Sequence, residues 1–120
     1  MTVTPASYNL TLYQGSDFEQ QVTFLQTEGG SPVDLTSIGF RMQIRASKNN
    51  PSVIAELTTD NGKITKVDAT GVITMSLSAT ETSLIKTGGV YDLEAYFSAS
   101  SAERWLEGSV VFSQEVTRNE

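Results

Sequence analysis

The chain has 120 residues, 38 % apolar and 18 % charged, which suits one packed domain and carries too little charge for a disordered segment. It contains no cysteine and no histidine, which removes disulfides, thiolates, imidazole bases and the commonest zinc ligands. Its net charge of −6 goes with only eight scattered Lys and Arg, and no apolar run approaches the ~20 residues of a spanning helix, so neither nucleic acid nor a membrane is an expected partner.

Residues 1–7 are small and polar with Pro5, and read as an arm ahead of a single domain over 8–118. The start, MTVTPASYNL, lacks the basic and apolar regions of a signal peptide. Tyr8, Leu10 and Leu12 then alternate with Asn9 and Thr11, a short strand with one buried face. After a turn at 14–16, Phe18, Val22 and Phe24 share a face with Gln20 between them, while Glu19, Gln21 and Thr23 point the other way. Residues 27–32 form a polar, Gly-containing hairpin loop. Asp34 or Thr36 is placed to cap a single turn over Leu35.

Phe40, Met42 and Ile44 alternate with Arg41, Gln43 and Arg45, the cleanest half-buried strand; its two arginines read as a solvated sheet face. A loop at 47–52 leads to a strand at 53–58, a tight Asp60-Asn61-Gly62 turn, and short strands at 64–67 and 72–77. Ser78 and Glu81 have capping-box spacing, which predicts one or two helical turns closed by Gly88-Gly89. A single short helix among seven or eight strands fits a crossover between two sheets.

Residues 88–117 are the longest strand-like stretch, read as a hairpin with its link at 98–103. Period two makes Tyr91, Leu93, Phe97, Leu106, Val110 and Phe112 the buried set. It leaves Asp92, Glu94, Tyr96, Trp105, Glu107 and Ser109 on the opposite face. Evenly spaced strands with polar turns predict an all-β sandwich or small barrel, and medium-sized inward residues favour two sheets ~10 Å apart.

Catalytic chemistry is hard to assemble from these residues. Asp92 and Glu94 share a face about 7 Å apart, with Glu107 on the neighbouring strand, but an acidic solvated face explains them without a cleft. Asp60, Asn61 and Asp68 offer oxygens without EF-hand spacing, and read as turn formers. No S-x-x-K occurs, and the Gly-Gly pairs lack the Lys-Ser/Thr of a phosphate loop. The expectation is no enzyme, no cofactor and no metal. An interaction surface is the better candidate: Trp105, Tyr96, Glu94 and Glu107 have the composition of an interface anchor. The competing reading has Trp105 capping one end of the core. The final strand also has an edge open to strand addition if it outruns its partner.

The order of segments adds a resemblance. LTLYQGSDF, PVDLTSIGFRMQIR, IAELTTDNGKI, GVITMSLSATETSLI, GGVYDLEAYF and RWLEGSVVFSQEVTR, taken in sequence, resemble small phage virion proteins and the N-terminal domain of phage baseplate upper proteins and tail-fibre attachment modules. The matching positions are Gly15 and Asp17; Pro32, Asp34, Leu35 and Thr36; Tyr91, Asp92 and Leu93; Leu106, Glu107 and Gly108. The resemblance implies an immunoglobulin-like β-sandwich without enzymatic activity, in the virion after synthesis in the host cytoplasm. Its implied partners are other virion proteins and further copies of itself, often as trimers. Baseplate upper proteins continue into a stalk or receptor-binding region that these 120 residues do not include. The expected function is therefore tail or baseplate assembly or adaptation. The alternatives are a capsid decoration protein and a carbohydrate-binding module using Trp105 and Tyr96; a hydrolase using Asp92 and Glu94 is the third reading.

Overall fold

Alternation along the chain becomes nine strands in a computed structural model that describes residues 6–26 and 29–117. They are β1 (Ala6–Ser7), β2 (Leu10–Tyr13), β3 (Phe18–Thr23), β4 (Gly39–Arg45), β5 (Ala55–Thr58), β6 (Ile64–Val67), β7 (Val72–Leu77), β8 (Gly89–Ser98) and β9 (Ser101–Ser113). A one-turn helix, α1 (Ala79–Ser83), joins β7 to β8, and a 3-10 turn at Asp68–Thr70 joins β6 to β7. One sheet runs β1-β9-β8-β4-β5, with β2 continuing β1 along β9; the other runs β3-β7-β6. With α1 carrying the chain from one sheet to the other, this is the strand order of an immunoglobulin-like sandwich.

The inward positions supply one continuous core. Leu10, Leu12, Phe40, Met42, Ile44, Leu57, Tyr91, Leu93 and Val110 from the first sheet meet Phe18, Ile64, Ile73, Met75 and Leu77 from the second. Leu35 closes the core between β3 and β4, beside an Asx turn in which Asp34 Oδ1 accepts from the Thr36 amide (2.9 Å) and hydroxyl (2.6 Å).

Two segments matched by the resemblance have visible structural jobs. Asp17 Oδ1 accepts from the Ala79 amide at the start of α1 (2.8 Å), and the buried Thr82 hydroxyl donates to Ser16 O (2.8 Å). The β2–β3 turn is thus tied to the sheet crossover. Ser78 and Glu81 form the capping box, each side chain meeting the other's amide (3.1 and 2.9 Å). The helix ends at Leu84, ahead of the Gly88-Gly89 pair.

Gly108 explains how the first strand docks. β1 and β2 both lie parallel to β9. Any side chain at Gly108 would strike the Tyr8 carbonyl. The ladder is interrupted at Asn9, whose side-chain oxygen accepts from the Ser109 amide (3.0 Å) in place of a backbone carbonyl. Tyr91 donates its hydroxyl to Tyr8 O (2.6 Å) from the core side. Ala6 and Ser7, expected to belong to an arm, are therefore paired; residues 1–5 of that arm lie outside the described residues. So do two positions of the 27–32 loop and the end of the expected domain at 118.

The hairpin departs from strict register at two points, between Tyr96 and Ser98 near its tip and between Leu93 and Glu94. Leu93 pairs with Leu106, but Glu94 pairs with Arg104, leaving Trp105 as the extra residue of a bulge. The bulge reverses the phase of β9, so adjacent Trp105 and Leu106 both point inward, 2 % and 3 % exposed. Trp105 is thus a core residue and does not lie on the outer face, which corrects the outward placement. Its ring meets Phe24 (5.0 Å) and Phe40 (5.6 Å) edge-on, and its Nε1 donates to Glu103 Oε1 (3.1 Å). Phe97, expected inside, is 41 % exposed near the hairpin tip, and Phe112 is half-buried. The return strand begins at Ser101, so the link is shorter than alternation suggested. β5 also starts later than expected, with Val53 exposed ahead of it.

Candidate interaction surface

The outer face of the larger sheet collects charged side chains from four strands, and register decides which ones meet. Between β4 and β8, Arg41 lies opposite Glu94, Gln43 opposite Asp92 and Gly39 opposite Tyr96. β9 sets Arg104 beside Glu94 and Glu107 beside Asp92. β5 sets Glu56 beside Gln43. Same-face residues along a strand are about 7 Å apart, so these groups form rows across the sheet. One row reads Arg104, Glu94, Arg41. The next reads Glu107, Asp92, Gln43, Glu56. A third holds Ser109, Val90 and Arg45. Together with Lys48 from the following loop they line an open depression of about 790 Å³.

The charges are partly neutralised within the chain. Arg41 Nε meets Glu94 Oε1 at 2.7 Å; Arg104 reaches Asp92 (3.4 Å) and Glu107 (3.2 Å). Gln43 donates to Glu56 (2.8 Å) and accepts from Arg45 (2.7 Å). These side chains remain substantially exposed, so each pair stabilises the fold by about 1 kcal/mol or less. Tyr96 lies across Gly39, where a side chain would run into its ring, and the Arg41 guanidinium sits 5.1 Å from the ring centre.

Of the four residues singled out from sequence, Tyr96, Glu94 and Glu107 share this face and Trp105 sits in the core behind it. Arg104, Glu56 and Gln43 belong to the face and were not singled out. Alternation had already pointed Arg41 and Arg45 outward; the missing information was which strand each one neighbours. The Asx turns have local partners: Asn61 Oδ1 accepts from the Thr58 and Lys63 amides (both 3.0 Å), and Asp68 meets Lys66 at 2.9 Å. Among the described residues no group of His, Cys, Asp or Glu is placed to hold a metal ion.

The smaller sheet presents a different outer surface. Glu19, Gln21 and Thr23 of β3 lie opposite Ser76, Thr74 and Val72 of β7, with Thr65 and Val67 of β6 beyond them. Glu19 is the one charge in these rows.

No curated protein matches the chain. The family model of the LtfC-like, beta-sandwich domain matches residues 4–113, a span that ends with the last residue of β9. The chain therefore belongs to the LtfC-like β-sandwich domain family.

Proposed function

We propose that the protein is a non-enzymatic structural module of a bacteriophage particle, assembling or adapting parts of the tail or baseplate through protein–protein contacts. The observation that carries this reading is the LtfC-like family match across 4–113, since a sandwich of this kind suggests a phage-associated structural module. The resemblance of the ordered segments to phage baseplate and tail-fibre modules supports it from the sequence side. Its partners in this reading are other virion proteins and further copies of the chain, with no cofactor, nucleic acid or membrane, and its place is the virion after synthesis in the host cytoplasm.

The carbohydrate-binding reading loses its main support. Glycan platforms need an exposed aromatic face, and Trp105 is inside the core while Tyr96 is already covered by Arg41. The test of the assembly reading is mass spectrometry of purified particles from an infected or induced host, followed by immunogold labelling. The protein is expected in the particle, with label on the tail. Its absence from particles overturns the reading; label confined to heads moves the module to the capsid.

A further inference from the structure

We infer that the open edge of β3 pairs with the β3 edge of a second copy, antiparallel about a two-fold axis at Gln21, making one continuous sheet across both copies. The smaller sheet ends at β3, whose one strand neighbour among the described residues is β7. The Phe24 amide donates to Gly71 O (2.8 Å), in the same register as the strand pairs. An antiparallel ladder then turns the main-chain groups of every second residue, Phe18, Gln20 and Val22, toward β7. The N–H and C=O of Glu19, Gln21 and Thr23 point the other way. Among the described residues their one partner is the Gln20 side chain, which donates to Gln21 O (3.0 Å).

The other edges carry devices against such pairing. On β5, four residues long, the Asn61 side chain takes the place of a strand: it accepts from the Thr58 amide (3.0 Å) and donates to Glu56 O (3.1 Å). β6 is also four residues long and carries Lys66, whose ammonium is tied to Leu35 O (2.8 Å) and Asp68 (2.9 Å). The β1–β2 edge is broken at Asn9 into pieces of two and four residues. β3 has six residues, no proline, no lysine and no register shift.

A two-fold contact sets an edge against its own image, so it works only where that image is complementary. With the axis at Gln21, Gln21 lies opposite Gln21 of the other copy, and Glu19 opposite Thr23, twice. All three residues of each copy then exchange both main-chain hydrogen bonds. Each Glu19 carboxylate, the one charge on this strand, faces a hydroxyl. The two carboxylates stand about 14 Å apart along the strands, beyond the ~8 Å over which exposed charges act in physiological salt. An axis at Glu19 would set them directly opposite. On the inner face, half-buried Val22 and Gln20 of one copy cover Gln20 and Val22 of the other. The contact names a second copy as one partner of the assembly module and rests on that reading only for its biological setting. Particles lacking the protein would sink the module and leave the dimer standing; a monomer found in particles would sink the dimer alone.

Cysteine pairing and sedimentation velocity on the whole chain test it. The chain has no cysteine, so a single introduced one can bridge only to another copy. Hydrogen-bonded partners have Cα atoms about 5.5 Å apart, inside the disulfide range. Gln21→Cys is therefore expected to form a bridged dimer on oxidation. Glu19→Cys and Thr23→Cys should each stay unbridged alone and bridge when mixed. Thr74→Cys, beside Gln21 on the same face, should not bridge. The wild type is expected to dimerise below about 1 mM, and more tightly as salt screens the repulsion between two chains of charge −6. Thr23→Glu should weaken the dimer about fivefold and Thr23→Lys strengthen it by a similar factor, since each meets Glu19 twice. Gln21→Pro, which removes an amide that β7 does not use, should abolish it. Circular dichroism checks that each variant is folded, and Thr23→Glu stands in for Gln21→Pro if that one is not. A wild type that stays monomeric to about 1 mM, including one that pairs only with another virion protein, overturns the inference. So does a dimer in which Gln21→Cys fails to bridge, or one that salt dissociates.

Discussion

The two outer faces of this sandwich are built on the same period-two logic and end with opposite chemistry. The larger sheet turns out arginines and carboxylates in rows; the smaller one turns out threonines, Ser76, Gln21, valines and a single charge, Glu19. Both are compatible with the same core, because the core reads only the inward positions. The outward positions are free to encode something else, and only the larger sheet uses them for rows of opposite charge. A hydroxyl-rich face with few charges costs less to desolvate but chooses no orientation. A face with ordered rows of opposite charge chooses one.

The comparison assumes that Trp105 belongs to neither outer surface. Trp105→Ala is expected to destabilise the fold by about 3–5 kcal/mol through loss of a fully buried aromatic, measured by urea denaturation. A loss under ~1 kcal/mol would mean the ring is not in the core and would return it to the surface. A smaller effect concerns how the β1–β2 edge is fixed to the larger sheet. Burial holds the Tyr91 hydroxyl well above its ordinary pKa, with nearby Tyr8 adding to the shift, so it stays protonated while donating to Tyr8 O. A folded-state value raised above the unfolded one stabilises fully below about pH 10 and loses that contribution as pH rises further. Tyr91→Phe should cost about 1 kcal/mol near neutrality, and its urea midpoint should fall less steeply than the wild type's above pH 10. Parallel curves would remove Tyr91 as the source.

The smallest effects compare the faces directly. Arg41→Ala on the larger sheet should change stability by less than ~1 kcal/mol, and Thr74→Ala on the smaller by about 0.5 kcal/mol or less. The two should separate in salt dependence: the difference at Arg41 should shrink as salt rises, and that at Thr74 should not. Equal salt responses would mean that the rows of charge add nothing to the fold beyond side-chain packing.

Much of this architecture was legible in the residues. Alternation located β4 and the two long strands, and capping-box chemistry located α1, because both are local rules. Trp105 was misplaced for a physical reason: its orientation is set by a bulge opposite Leu93 and Glu94, and a bulge is a property of a strand pair. The charged rows were half visible. Arg41 and Glu94 each pointed outward in the sequence, but their 2.7 Å contact depends on register, which spans more than fifty residues of chain. The parallel docking of β1 and β2 on β9 joins the two ends of the domain and left no local signal beyond Gly108.

That parallel docking has a mechanical consequence. Tension entering at Ala6 and leaving at Ser113 pulls β1–β2 and β9 in opposite directions along their common axis. The hydrogen bonds between them are then loaded in shear, all together, rather than peeled one at a time. Forced unfolding is governed by the barrier to that concerted rupture rather than by equilibrium stability. The sandwich is thus strongest along the line that joins its first strand to its last.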